Sequence, residues 1–461
     1  MIRAEQTIVA LATPPGQGAL AVIRVSGPQA IAITASVFKG KALTEQPSHT
    51  IHYGHIVAGD SVVDEVMISL FRAPRSFTAE DTTEISCHGS PFIAQQIIAL
   101  LIRQGAMAAQ PGEFTMRAFL HGRIDLSQAE AVADVIQAQS DAALKLALDQ
   151  MKGGFARQIK ALRQQLIDYK ALIELELDFG EEDVAFADRE KMMGLMNELQ
   201  AVIRPLAASF ASGQVIREGL QTVLAGKPNA GKSTLLNALL QDERALVSDI
   251  AGTTRDTIEE SLHIDGLLFR FIDTAGLRES TDLIEQMGIS RTRERIRQAH
   301  LLVLLFDLEQ SRVEDIRQQL EEADMGERPV LLVGNKADRL SAEACEEKIK
   351  GIKQLGHNVL GISALRGEGI DALRQALVEA GQREWKPAEG GVVISNMRHY
   401  EALLRADRAL EEVREGLEGS ATGEILSLSL REALEALGEI SGQISNEEVL
   451  GSIFGRFCIG K

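Results

Sequence analysis

The sequence predicts a multidomain protein of α/β plus all-α class, in which a doubly wound α/β block is inserted between two helical blocks and preceded by a smaller α/β unit. Three observations predict it. The 461 residues correspond to about three domains at roughly 100–200 residues each. Hydrophobic periodicity passes from a mixed strand and helix pattern to helical spacing, then to strand, loop and helix alternation, and back to helical spacing. Within the alternating stretch, a Gly-rich loop follows a strand and opens a helix.

Between Gln6 and about Leu120 the runs Thr7–Leu11, Leu20–Val25 and Val66–Leu70 read as strands, and Pro91–Arg103 carries apolar residues at helical spacing. From Ser127 to Asp178 Gly and Pro nearly vanish, apart from Gly153-Gly154. Ile159, Leu162, Leu166, Tyr169 and Ile173 repeat there at 3,4 spacing, the pattern of a packed-helix seam. Beyond Gly219, Gln221–Ala225 is a strand, and Leu262–Ile264 and Leu267–Ile272 flank Asp265-Gly266, a hairpin turn signal. Leu301–Phe306, Pro329–Val333 and Asn358–Ile362 are apolar runs of the buried-strand kind. From Tyr400 onward helical spacing returns in Leu403, Leu410, Val413 and Leu417, then in Leu426, Leu430, Leu434, Leu437 and Ile440. The expected division is residues 1–122, 123–218, 219–384 and 385–461, the second and fourth forming one helical domain around the third.

Composition excludes several classes. Hydrophobic residues at 45% and charged residues at 25% exclude disordered and collagen-like chains. No apolar run approaches the ~18 residues of a membrane span, and the first residues, with Glu5 and only Ile8–Ala12 apolar, fit neither a signal nor a transit peptide. Cys87, Cys345 and Cys458 are far apart, with neither metal-ligand spacing nor a disulfide framework. A cytoplasmic location with no membrane partner is therefore expected. A net charge of −18 and 4% aromatics argue against broad nucleic-acid coating and base-stacking platforms, so contact with nucleic acid must be focused or made through a partner.

The chemistry concentrates between residues 226 and 364. Gly226-Lys-Pro-Asn229-Ala230-Gly231-Lys232-Ser233 follows a strand and precedes the amphipathic run Thr234–Leu240. Its backbone N–H groups and the helix N-terminus suit phosphate, Lys232 reaches the β- and γ-phosphates, and the Ser233 hydroxyl suits Mg²⁺. Asp273-Thr274-Ala275-Gly276 ends another strand, where a carboxylate can hold the hydration shell of Mg²⁺ and a Gly N–H can sense a γ-phosphate. Asn335-Lys336-Ala337-Asp338 follows a third, and its Asp can accept from the ring N–H and exocyclic amine of guanine, a donor pair adenine lacks. Ser363-Ala364-Leu365 can offer a backbone N–H to the guanine carbonyl. Four such elements in this order define a guanine-nucleotide domain. Thr254, in Gly252-Thr253-Thr254-Arg255-Asp256, is the natural second Mg²⁺ hydroxyl. Leu277 stands where a Ras-like site has a water-orienting Gln, so another group must align the water. Glu279, Asp282 and Glu285 are available, with Arg278 and Arg255 nearby.

The phosphate loop, Gly252-Thr-Thr-Arg-Asp, Asp273-Thr-Ala-Gly-Leu-Arg, Thr13-Pro-Pro-Gly with Arg24, Pro111-Gly-Glu-Phe-Thr and the terminal Cys458-Ile-Gly-Lys461 together resemble the tRNA modification GTPase MnmE (TrmE) family over all three domains. The resemblance implies a homodimer formed through an N-terminal domain that binds a tetrahydrofolate derivative, in the 5-formyl or 5,10-methylene form. It also implies work with the FAD-dependent protein MnmG, as a heterotetramer, on C5 of the wobble uridine of tRNA, adding an aminomethyl or carboxymethylaminomethyl group. It implies that GTP hydrolysis needs K⁺ and G-domain association rather than an arginine finger. The nucleotide set then includes Ser248, Asp249, Ile250, Ala251, Gly252 and Thr253, and potassium falls to Asn229, Ser248, Thr253 and the Ile250 carbonyl. Glu285 matches the water-orienting acid, and Arg278 and Cys458 join the catalytic candidates. The folate positions are Arg24, Glu84, Arg123 and Lys461, of which 123 is commonly Lys in relatives.

Two other readings compete: a switch GTPase of ribosome assembly or signalling, and a folate-dependent one-carbon transferase with a regulatory G domain. The first usually carries a basic RNA-binding module, and no basic run ends this chain. The second needs an acid or base in the N-terminal domain, where His88 and His121 are available.

Overall fold

The computed structural model describes residues 5–178, 189–240, 259–273, 299–326, 328–384, 392–419, 421–444 and 447–461. The chain forms two compact units, one of Met1–Ile136, Asp149–Asn197 and Arg405–Lys461, the other of Gln137–Leu148 and Glu198–Leu404. Among the described residues no helix is long and apolar enough to cross a membrane.

The first unit opens with β1 (Ile8–Leu11), β2 (Leu20–Ser26), α1 (Ala30–Val37), β3 (Phe38–Lys39), β4 (Thr50–Ala58), β5 (Ser61–Phe71), β6 (Thr82–His88), α2 (Pro91–Arg103) and β7 (Met107–Ala108). The strands form one seven-stranded sheet in the order β3-β4-β5-β6-β2-β1-β7, antiparallel except for the β1–β7 pair. Alternation assigns its faces: Val66, Ile68 and Leu70 of β5, Ile23 and Val25 of β2 and Ile85 of β6 are buried together. Helix α2 covers them with Ala94, Ile97, Leu100 and Leu101, a stripe at helical spacing behind a Pro at the first helical position. The long β4–β5 hairpin and α1 extend the three strands and one helix read from sequence.

Four helices follow, α3 (Glu113–Leu120), α4 (Leu126–Gln137), α5 (Asp141–Met151) and α6 (Gly154–Asp178), the last beginning at the predicted Gly153-Gly154 interruption. After them come α7 (Arg189–Ala208) and α8 (Phe210–Glu218), then β8 (Leu220–Ala225), α9 (Lys232–Leu240), β9 (Glu259–Ile264) and β10 (Leu267–Asp273). The α/β pattern continues with β11 (Leu301–Asp307), α10 (Val313–Ala323), β12 (Val330–Asn335), α11 (Ala342–Lys353), β13 (Asn358–Gly361) and α12 (Ile370–Glu384). The chain closes with α13 (Met397–Glu418), α14 (Gly423–Ser441) and α15 (Glu447–Phe454).

Helix α6 packs on α14, which follows the whole α/β block in sequence. Ile159, Leu162, Leu166 and Ile173 of α6 are buried, as are Leu426, Leu430, Leu434, Leu437 and Ile440 of α14. Tyr169 is half-buried, so the seam narrows there. Arg163 bridges the pair through the Leu434 carbonyl (3.3 Å) and Gln443 Oε1 (2.5 Å). The α15 segment, with Leu450, Phe454 and Phe457, packs against Leu126 and Ala129. Gly112 (φ 68°) makes this approach possible, since a Cβ there would lie 2.5 Å from the Phe454 carbonyl oxygen.

In the second unit six strands run in the order β13-β12-β11-β8-β10-β9, parallel except for the β9–β10 hairpin. Asp265 (φ 49°) and Gly266 (φ 78°) make that turn, both in the left-handed region that a two-residue hairpin requires. Strands buried on both faces read as continuous apolar runs. Thus Leu301, Val303 and Leu305 of β11 enter one core, while Leu302, Leu304 and Phe306 enter the other.

Candidate functional site

In the second unit the candidate residues gather at the carboxyl ends of β8, β11, β12 and β13, where ligands of open α/β sheets bind. Residues 226–231 join β8 to α9. A Cβ on Gly226 would lie 2.1 Å from the Leu305 carbonyl oxygen, and one on Gly231 would lie 2.2 Å from Asn335 Nδ2. Asn229 holds φ 65° between them. Ala230 is buried, and Ser233 and Thr234 lie in the first turn of α9. Lys232 Nζ donates to the carbonyls of Gly226 (2.6 Å) and Lys227 (3.2 Å), so its ammonium lies across the loop it belongs to.

Asn335, at the end of β12 and 3% exposed, organises three loops. Its Nδ2 donates to the Ala230 carbonyl (2.8 Å), and its Oδ1 accepts from the amides of Lys336 (2.8 Å) and Ala364 (3.0 Å). The Ala364 N–H is thereby taken, while the next amide, that of Leu365, has no partner among the described residues. Lys336 takes φ 64° and pairs its Nζ with Asp307 Oδ2 at 2.8 Å. Burial opposes ionisation of Asp307, but the Lys336 hydrogen bond and the amides of Gln310 and Glu309 outweigh it and hold the carboxyl below the usual range. Asp338 sits in the short turn Ala337–Arg339. A hydrogen bond from Ser363 lowers its pKa against some desolvation, aided by Arg366 at 3.7 Å. It is therefore held ionised as an acceptor, the form that guanine reading needs.

Asp273 ends β10 and pairs in register with Leu224, which brings its backbone beside the start of the phosphate loop. Ser248, Asp249, Ile250, Ala251, Gly252, Thr253, Thr254, Thr274, Ala275, Gly276, Arg278 and Glu285 lie outside the described residues, as do Glu279 and Asp282. Among the described residues no cluster of three or more His, Cys, Asp or Glu could hold a metal ion.

A second candidate site lies in the first unit, a cavity of about 660 Å³ lined by Glu84, Arg123, Phe77 and neighbouring residues of the 71–82 segment. Arg24 of β2 stands opposite Glu84 of β6 in the sheet register, and Nε and Nη2 meet Oε1 at 3.0 and 2.8 Å. The Arg24 guanidinium lies over Phe77 (5.3 Å) and Phe114 (5.7 Å), and that of Arg123 lies over Phe77 (5.7 Å). Phe77 thus joins two of the predicted cations, a role no sequence pattern signalled. Neither Arg24 nor Lys461, which is half-buried, is among the lining residues. The Lys461 amide donates to the Cys458 carbonyl (3.3 Å), and a Cβ on neighbouring Gly460 would lie 2.2 Å from the Leu11 oxygen at the end of β1. Cys458 is exposed.

The same unit contains a buried charge cluster. Arg117, 1% exposed, meets Glu113 at 2.9 Å and Glu80 at 3.1 Å, and Glu80 also accepts from Ser26 at 2.7 Å. Removing one partner from such a cluster leaves a buried charge uncompensated. The Pro111-Gly-Glu-Phe-Thr motif is explained here: Glu113 pairs with Arg117 and Phe114 carries Arg24. Of the two histidines, His88 gives its Nδ1 to Asp64 (2.8 Å), which raises its pKa, while His121 lines the cavity and donates Nδ1–H to the Thr78 carbonyl (2.7 Å).

A phosphate loop tied through a buried Asn to a loop carrying an ionised Asp, on a doubly wound parallel sheet, defines the class of the P-loop GTPases. Comparison with known proteins narrows this. The family described as MnmE helical domain matches residues 126–458, and that described as GTP-binding protein TrmE N-terminus matches residues 7–123. The tRNA modification GTPase MnmE of Cytophaga hutchinsonii is 50% identical over 99% of this chain and 98% of its own length. Those of Christiangramia forsetii and Flavobacterium johnsoniae are 46% and 48% identical, covering 100% and 99% of both chains respectively. The chain belongs to the MnmE (TrmE) family of tRNA modification GTPases.

Proposed function

We propose that this chain is the GTP-hydrolysing component of an enzyme that modifies C5 of the wobble uridine of tRNA, adding an aminomethyl or carboxymethylaminomethyl group. It works as a homodimer with an FAD-dependent partner of the MnmG type and with a tetrahydrofolate one-carbon donor. The observation that carries this reading is the presence in one chain of the Asn335-centred loop cluster and the Arg24–Glu84 cavity. A switch GTPase has no use for the second, and a simple one-carbon transferase has none for the first.

In the nucleotide site the amides of residues 229–234 receive the phosphates, and Lys232 exchanges the carbonyls of Gly226 and Lys227 for phosphate oxygens. Asp338 accepts from the two guanine donors, and the Lys336 stem, held by Asp307, covers the base. Ser233 and Thr254 would hold Mg²⁺ and Asp273 its water shell. Asn229, Ser248, Thr253 and the Ile250 carbonyl would hold K⁺, which supplies positive charge where a finger would otherwise stabilise the phosphoryl group. Glu285 orients the attacking water that Leu277 cannot align.

The cavity fits a folate. Its wall carries Glu84 in hydrogen-bond contact with Arg24, presents an aromatic ring, and contains Ser76, whose Oγ is buried and has no partner among the described residues. Arg24, Glu84 and Arg123 would hold the cofactor, with Lys461 reaching it from the chain terminus; the bound cofactor supplies the one-carbon unit.

Nucleoside mass spectrometry of tRNA from a strain lacking this chain tests the reading. The wobble-uridine modification disappears and returns with the wild-type gene but not with Asp338→Asn. An unchanged nucleoside profile overturns it. GTP turnover measured in K⁺ and in Na⁺ tests the cation separately: K⁺ stimulates the wild type, Asn229→Ala removes the preference, and equal rates for the wild type remove the assignment.

A further inference from the structure

The cavity of the first unit has one cation, Arg75, that the folate reading leaves unused, beside the Arg123 that it employs. Its Glu84 is neutralised by Arg24, the two side chains being 28% and 15% exposed. Around it stand the exposed Arg75 and Arg123, with His49 and His121, and Glu84 is the only carboxylate among the described lining residues. Neither Arg75 nor Arg123 has a carboxylate partner among the described residues. On a chain of net charge −18, two guanidinium groups unanswered by any acid of the wall make a locally anion-selective opening. Ser76, adjacent to Arg75 in the same segment and 6% exposed, carries a buried hydroxyl with no partner among the described residues.

We propose that this opening selects a ligand carrying a chain of carboxylates, so that the folate bound is one bearing several γ-linked glutamates rather than one. The inference rests on the folate reading above. A folate heterocycle is uncharged and presents paired donors and acceptors, the part that an Arg–Glu pair beside an aromatic ring can read. All of its negative charge lies at the glutamyl end, and each further glutamate adds one carboxylate. Arg75 and Arg123 answer those carboxylates. Because both are exposed, the attraction is modest per charge and weakened by salt.

Isothermal titration of the full chain with the mono- and triglutamate forms of 5-formyltetrahydrofolate, at low and high salt, tests this. At low salt the triglutamate binds about five- to tenfold tighter, the range expected for two added exposed ion pairs, and high salt narrows the ratio. Arg75→Ala, which leaves Arg123 in place, reduces the ratio to about two- to threefold. Arg103→Ala, which removes an equal charge from the end of α2 outside the cavity lining, leaves it intact. Equal affinity for the two forms overturns the inference and leaves the folate reading standing. A ratio that survives Arg75→Ala, or falls as far with Arg103→Ala, overturns the assignment to this opening. Failure of both forms to bind overturns the folate reading itself.

Discussion

The nucleotide loops and the amino-terminal cavity are organised by opposite means. In the first, one buried amide gathers three loops, and most groups offered to a ligand are backbone atoms at strand ends. In the second, side chains from β2, β6, the 71–82 segment and the turn after α3 meet around Phe77. A backbone cradle depends on a few residues that shape several contacts at once. A side-chain cavity spreads its contacts, so single losses should be smaller and more local.

The largest contrast comes from Asp338→Asn. Turning an acceptor into a donor at a site built for hydrogen bonding should cost on the order of 10⁴-fold in GTP affinity and favour xanthine nucleotides, while folate affinity stays unchanged; unaltered GTP binding would remove Asp338 from base reading. Glu285→Ala should lower GTP turnover by about 10²-fold with nucleotide binding intact in equilibrium titration. Normal turnover would pass the role to Glu279 or Asp282.

Asn335→Ala leaves the Lys336 and Ala364 amides and the Ala230 carbonyl without their partner. Urea unfolding of the full chain should show a loss of about 2–4 kcal/mol in the phase that GTP protects; a loss under 1 kcal/mol or so would refute the idea of a single organiser. In the cavity, Glu84→Gln keeps the shape of the side chain but leaves Arg24 unneutralised, and about tenfold weaker folate binding is expected by titration, with GTP affinity unaffected. A loss as large as that of Asp338→Asn would break the contrast drawn between the sites.

The smallest effect is one of pH. The folded-state pKa of Asp307 is lowered, so its contribution is present above the ordinary carboxylate pKa and is lost as pH falls through the folded value. Melting temperature should therefore drop more between about pH 5 and about pH 3 for the wild type than for Asp307→Asn. Equal drops would show that the Lys336 pair contributes nothing to the fold.

The two sites were also unequally legible in sequence. The phosphate loop, Asn335-Lys-Ala-Asp338 and Ser363-Ala364 are contiguous strings whose chemistry comes from local backbone, and the Asp265-Gly266 turn declares itself by the conformations it needs. What those strings concealed is their coupling: the Ala364 amide and the Ala230 carbonyl both bind the side chain of Asn335. The cavity depends on Arg24 standing opposite Glu84, 60 positions away, and no periodicity reveals a register. Arg24 and Glu84 read individually as surface charges, and Phe77 as one aromatic among fifteen Phe. Helix α1 escaped notice because Ala-Ile-Ala-Ile-Thr-Ala-Ser-Val is short and rich in β-branched residues, which lose side-chain freedom in a helix. It forms because Ala30, Ile31, Ile33 and Val37 are buried on the sheet.

The pairing of α6 with α14 dictates an order of events on the ribosome. Arg163 finds the Leu434 carbonyl 271 residues further along, and at bacterial elongation speeds that distance takes roughly 15–50 s to synthesise. Until then the apolar seam of Ile159, Leu162, Leu166 and Ile173 lacks its partner in α14, whereas every strand of the six-stranded sheet has already been made. The nucleotide fold can thus be complete on the nascent chain while α6 still waits. A chaperone that shields apolar helices should find its main substrate there, on chains stalled between the end of β13 and the start of α14.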